Sequence, residues 1–369
     1  MTVRRRRLYW SSAALTIAMV GGLAPAAHAN GTPGNTTTPP ADESPKGDAN
    51  GRTLLSSVSQ SRIRLTYPDG RTGSGSMEDL TSVDPNWEPP VCWYEPVFTP
   101  EQLKSAVADL KKNGGLGAVN AHEFWTSGIF VDHYEEGEEQ DNFDINSSKN
   151  TMAKGYKDYN VGKDGMFWRS VVRKGHEHDT KAWDCGRVMF WQDAGTIPDD
   201  EHAPTPETLA AYAYDQIDVP KTEVELKPQT KSTVNLPTWV WLDKGTFKEV
   251  KVRAELPGTG LWAETTAKPI ALHLEPGTAD AETFPASGDC EINADGSIGT
   301  PYTKGKADET PPCGIRYLRA SNGEPYQLKA SITWEISWEG NGGAQGDLPD
   351  GTFETTQDME VQEIQSINR

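Results

Sequence analysis

His176-Glu177-His178-Asp179 is the densest run of groups in this chain that could hold a metal or move a proton. Two imidazoles and two carboxylates recur in metal-hydrolase loops, but such a loop needs further ligands elsewhere. His122-Glu123 lacks the second histidine four residues on that a zinc-binding helix requires. The setting, "RKGHEHDTK", is that of a solvated turn. Neither a G-x-S-x-G elbow nor a G-x-x-x-x-G-K-[ST] loop occurs. Two other stretches offer hard oxygen ligands. "YEEGEEQDNFD" carries Glu135, Glu136, Asp141 and Asp144, which could collect calcium. Glu291, Asn293 and Asp295 precede Gly296 as in the opening of a calcium loop, but the twelfth position is Tyr302 instead of the closing glutamate. Asp295-Gly296 therefore reads first as a turn. Calcium is the one cofactor these groups invite; otherwise none is expected. A glycosidase pair of carboxylates cannot be chosen among 54 acids.

The compartment decides how the four cysteines are read. The chain opens with Arg4 to Arg7, a short apolar stretch from Ser12 to Leu23, and Ala27-His28-Ala29. That order is a secretory signal peptide over residues 1–29, and its apolar run is shorter than a membrane span. The arginines loosely fit the twin-arginine route as well. The mature chain, beginning near Asn30, is expected to be secreted, with no transmembrane segment. In an oxidising compartment Cys92, Cys185, Cys290 and Cys313 read as two disulfides. Three pairings are possible; Cys92–Cys185 and Cys290–Cys313 are expected, because each then falls within one region. No C-x-x-C exists for redox or zinc chemistry. The net charge of −19 becomes more negative once the four signal-peptide arginines are removed, which disfavours nucleic acid and anionic lipid as partners.

These groups need elements to position them. Residues 30–53 are rich in Pro, Thr, Gly and Asn and read as a disordered spacer. Residues 54–219 read as an α+β domain. "FTPEQLKSAVADLKKNGG" and "APTPETLAAYAYDQ" are helices with Thr99 or Thr205 as caps and Pro100 or Pro206 in the first turn. "SRIRLTYPDG", "FWTSGIFVDHY", "GMFWRSVVRKG" and "GRVMFWQDAG" read as strands. Residues 220–369 show two-fold alternation throughout, in "TEVELKP", "STVNLPTWVWLD", "KEVKVRAEL", "IALHLEP", "GIRYLRA" and "YQLKASITWEISWEG". Short strands at such spacing predict an all-β sandwich, with Pro237 at an edge or a strand start. The twelve tryptophans include two pairs sharing strand faces, Trp239 with Trp241 and Trp334 with Trp338. Exposed, they would stack on sugar rings or bind protein; buried, they would fill the space between sheets.

"GIRYLRASNGEPYQLKASITWEISW" resembles the closing strands of a PKD-like, immunoglobulin-like domain, with Tyr317, Gly323, Tyr326, Leu328, Ala330 and Ile332 in the characteristic places. The W-x-F-G-D-G signature of that family is missing; "IALHLEPGTAD" stands where it would be. The whole arrangement is also similar to exported proteins of high-GC Gram-positive (actinobacterial) bacteria. The resemblance implies an extracellular module for spacing or binding and no catalytic residues. The expected function is thus a secreted, non-catalytic binding or scaffolding protein. Its partner would be a cell-envelope glycan or another extracellular protein. The alternative is a secreted hydrolase acting on cell-wall or polysaccharide substrate.

Overall fold

Helix Pro206–Tyr214 forms where the local signals agree best. The Thr205 hydroxyl accepts the Thr208 N–H at 3.1 Å, and the Thr208 hydroxyl accepts the Thr205 N–H at 3.2 Å, with Pro206 opening the first turn. Leu209, Ala210 and Ala213 are buried on one side of it, and the Thr265 hydroxyl donates to the Ala210 carbonyl at 3.0 Å, fastening the helix to the strand beneath. Thr205→Ala is expected to lower the unfolding free energy by about 1 kcal/mol, read from the urea midpoint at unchanged m.

The computed structural model describes residues 61–68, 77–112, 131–141, 152–220, 224–242 and 248–364. The expected signal peptide and spacer lie outside these. Two largely antiparallel sheets and a smaller one contain most of the strand residues, so the described chain is β-rich with few helices. From edge to edge the largest sheet runs Arg64–Thr66, Val250–Leu256, Leu261–Glu275, Tyr326–Gly340, Gln345–Gln362 and Lys231–Thr233. Thr81–Ser82 also pairs with Gln345–Gln362, and Asp289–Glu291 with Leu261–Glu275. The second sheet runs Glu225–Lys227, Pro237–Leu242, Gly314–Tyr317 and Ala281–Phe284, with Ile298–Gly299 beside Pro237–Leu242. As expected, Pro237 begins its strand. Alternation explains the shared core: Val252, Ala254, Leu272, Leu274, Leu328, Ile332 and Ile336 from the first sheet pack in one cluster with Leu226, Val240, Ile315 and Tyr317 from the second.

Residues on either side of position 219 share that core. Ile63, Leu65, Trp93, Val171 and the Pro206–Tyr214 helix belong to the same cluster as the later strands. Arg64–Thr66 is itself an edge strand of the largest sheet, on Arg253, Ala254 and Glu255. A third sheet, Cys92–Phe98, Gly165–Val172 and Phe190–Asp193, lies with helix Pro100–Lys112. Both long helices fall within 54–219, and among the described residues from 224 onward the regular elements are strands and one short 3-10 turn.

The strand expected in "FWTSGIFVDHY" is not found where it can be seen: Val131–Tyr134 is helical, and the rest lies outside the described residues. His133 and Tyr134, in that helical turn, are both buried. The strand Gln345–Gln362 is an addition, hidden by its Gly, Asp and Thr content.

Two linkages fix the assembly. Cys92 bonds Cys185 and Cys290 bonds Cys313, with Cα separations of 6.1 Å and 5.5 Å. The second joins a strand of the largest sheet to the entrance of a strand in the second. The fully buried Glu95 carboxylate accepts the Ser61 hydroxyl, the Arg62 N–H and the Trp93 indole N–H, each at 2.6 Å. Burial pushes its pKa up against these three donors and the Arg62 charge. No helix among the described residues is long and apolar enough to cross a membrane.

Candidate binding groove between two sheet edges

Glu225–Lys227 is the end strand of the second sheet, and Gln345–Gln362 lies near the end of the first. Between them opens a groove of about 860 Å³ lined by Val224, Glu225, Leu226, Gln229, Thr230 and the segment Phe353–Gln357. Its floor is apolar: Leu226 is buried, and Val224 and Phe353 pack half-buried against the core. The chain crosses from one sheet to the other through Pro228-Gln229-Thr230. There the Glu360 N–H donates to the Thr230 carbonyl at 2.9 Å, and the Gln357 side-chain amide to the Gln229 carbonyl at 3.2 Å. That crossover closes one end.

The wall contributed by Gln345–Gln362 is an open strand edge. Its inner side pairs with Tyr326–Gly340 through the full register from Tyr326–Met359 to Ile332–Phe353. On its outer side Gly351 and Thr352 meet Ser82 and Thr81, and Glu360 to Gln362 meet Lys231 to Thr233. The Glu360 N–H and the Asp350 carbonyl both bond outward. Alternation therefore turns the N–H and C=O groups of Glu354, Thr356 and Asp358 the same way. No described backbone group pairs with them. Side chains alternate correspondingly: Glu354, Thr356 and Asp358 are exposed, while Phe353, Thr355 and Gln357 tuck toward the groove. Glu225 and Glu354 are the charged groups of the lining. Glu354 pairs at 3.2 Å with the exposed Lys329. None of these residues was singled out from sequence, although Phe353, Met359 and Val361, an even number of residues apart and so on one strand face, carry the signal.

The sequence candidates fall elsewhere. Trp334 is 0% and Trp239 3% exposed, so neither offers a stacking face; Trp241 and Trp338 are half-buried. The four-residue spacing of Trp334 and Trp338 is broken by a register shift after Trp334, and the Trp338 ring lies over Gly346. Trp239 and Trp334 are thus core, with Trp241 and Trp338 at its flank. Asp295 turns its carboxylate onto its own hairpin, accepting the Ser297 N–H at 3.1 Å and hydroxyl at 2.6 Å. Asn293 donates to the Ser297 hydroxyl and the Gly299 carbonyl, both at 2.9 Å. Glu291 sits in the adjoining strand.

Glu135 accepts the Tyr159 hydroxyl at 2.9 Å, bracing an unusual turn. Asp158, Tyr159 and Asn160 all adopt left-handed φ, at 44°, 54° and 57°. The Lys104–Asp158 ion pair at 2.7 Å, Tyr159 burial and the Lys163 bond to Asn160 at 2.9 Å hold that turn against its strain. Glu136 forms an isolated backbone β-bridge with Lys157, Asp141 lies in a two-residue strand, and Asp144 is outside the described residues. In "RKGHEHDTK", Asp179 caps the 3-10 helix Thr180–Trp183 by accepting the Lys181 N–H, and His176 stands 3.7 Å from it. Among the described residues the one convergence of three potential metal ligands is Cys92, Cys185 and His202, whose sulfurs are joined in a disulfide.

No family model, curated protein or solved structure matches this chain.

Proposed function

We propose that this is an exported, non-catalytic binding protein of the extracellular space or cell envelope, and that the groove between the two sheet edges receives its partner. The observation that carries this reading is the groove itself. It has an apolar floor, polar walls and a row of backbone donors and acceptors that no described residue uses, the features of a recognition site. The buried disulfides and the signal-like N-terminus support export. Two sheets around one core, with Tyr317 stacked on Tyr326 at 5.3 Å and donating to the Pro276 carbonyl at 3.3 Å, support an immunoglobulin-like reading of residues 224–364.

The test is co-sedimentation of the purified protein with isolated cell envelope of a high-GC Gram-positive bacterium. The protein is expected in the pellet, and Thr356→Arg, which adds bulk and charge at the exposed rim, is expected to release it. Pelleting that the rim substitution leaves unchanged would remove the groove from the account. One observation favours the hydrolase alternative: the charged groups of the lining are two carboxylates, one from each sheet, Glu225 and Glu354. Release of soluble sugar from purified wall, abolished by Glu225→Gln and by Glu354→Gln, would establish it.

A further inference from the structure

We infer that the occupant of this groove is an extended, basic polypeptide segment that adds as a strand to the open edge of Gln345–Gln362. The inference rests on the groove being the binding site proposed above. Three features select an extended peptide over a sugar. The outward N–H and C=O groups of Glu354, Thr356 and Asp358 recur every second residue, the repeat that another β-strand presents and a glycan does not. The open stretch, Phe353 to Met359, is about 20 Å long at the rise of an extended chain, enough for a short strand. The apolar floor of Val224, Leu226 and Phe353 lies on the inner side of that edge, where alternate side chains of an added strand would point.

Charge selects a basic segment. Among the described residues the lining holds two carboxylates and no cation. Along the outer face Asp358 accepts only the neutral Gln327 amide at 2.6 Å, whereas Glu354 is matched by Lys329 at 3.2 Å and Glu360 by Lys231 at 3.0 Å. The chain as a whole carries −19, so a cationic segment is drawn toward it at long range, more strongly at low ionic strength. Apolar residues facing the floor and alternating with Lys or Arg facing Glu354 and Asp358 would satisfy both surfaces at once.

The probe is a fluorescein-labelled Thr-Lys-Val-Lys-Val-Lys-Thr peptide, titrated with the purified protein by fluorescence anisotropy at low salt. The same peptide with Glu replacing Lys serves as a control, as does one N-methylated at alternate backbone nitrogens. The basic peptide is expected to bind at least tenfold tighter than either control, and added salt is expected to weaken it. Thr356→Pro removes an outward N–H while leaving the inner ladder alone, and is expected to lower affinity at least tenfold. Glu225→Lys with Glu354→Lys is expected to reverse the preference toward the acidic peptide. Equal binding of the N-methylated peptide would overturn strand addition even if Thr356→Pro failed to fold. Equal binding of the acidic peptide would overturn the basic specificity. Absence of binding by every peptide, with envelope pelleting intact and sensitive to Thr356→Arg, would overturn this inference and leave the binding reading standing. Loss of both would remove the two together.

Discussion

Replacing Cys92 and Cys185 together by alanine is expected to lower the unfolding free energy by about 4–5 kcal/mol, against about 3 kcal/mol for Cys290 and Cys313. The difference comes from the unfolded chain. The first bond closes a loop with a sequence separation of 93, the second one of 23, and the longer loop removes more entropy from the unfolded ensemble. All four cysteines are buried, so neither pair gains from solvation when removed. Urea unfolding of the two double variants, without reductant, reads both losses. Equal losses, or a larger loss for the shorter loop, would show that native packing around the sulfurs outweighs loop entropy here.

Glu95→Ala is expected to cost about 3–5 kcal/mol. The side chain is completely buried and takes three donors at once, from Ser61, Arg62 and Trp93. Truncation strands those donors and unfastens residues 61 and 62, immediately ahead of edge strand Arg64–Thr66. The pH dependence has a definite sign. Burial raises the folded-state pKa above that of the unfolded chain, so the folded state holds the proton more tightly. The contribution of this group to stability is therefore full below the unfolded value, about 4.3, and is lost as pH rises through the folded one. The stability of the wild-type protein relative to Glu95→Gln, which cannot titrate, is expected to fall as pH is raised from 4. A rise over that range would mean that the three donors win over burial and that the carboxylate is held ionised.

What was legible in the sequence follows from which signals are local. The Pro206–Tyr214 helix announces itself through Thr205 and Pro206 within a single turn. Strands with clean alternation, such as Tyr326–Gly340, announce themselves through Leu328, Ala330 and Ile332. The disulfide pairing followed from keeping each bond within one region. The Gln345–Gln362 strand escapes notice because Pro349, Asp350 and Gly351 have the composition of a turn, although they continue the strand through a register shift. The groove was illegible for a related reason. It is made of two sheet edges distant in sequence, and which edges remain open depends on the topology of the whole assembly. The tryptophans show a second limit. Two-fold spacing tells which residues share a face, but not whether that face meets water, and Trp239 and Trp334 face the core. Three of the calcium candidates have local roles: Asp295 and Asn293 close their own hairpin, and Glu135 braces the left-handed turn at Asp158–Asn160.

The measurement closest to the central claim is amide hydrogen exchange along Gln345–Gln362, residue by residue, with and without the basic peptide. In the free protein the outward amides of Glu354, Thr356 and Asp358 should exchange fast, and those of Phe353, Thr355 and Gln357, facing the inner ladder, slowly. Peptide binding is predicted to slow the first set and leave the second unchanged. Bound peptide with no protection at Glu354, Thr356 and Asp358 would contradict strand addition at this edge.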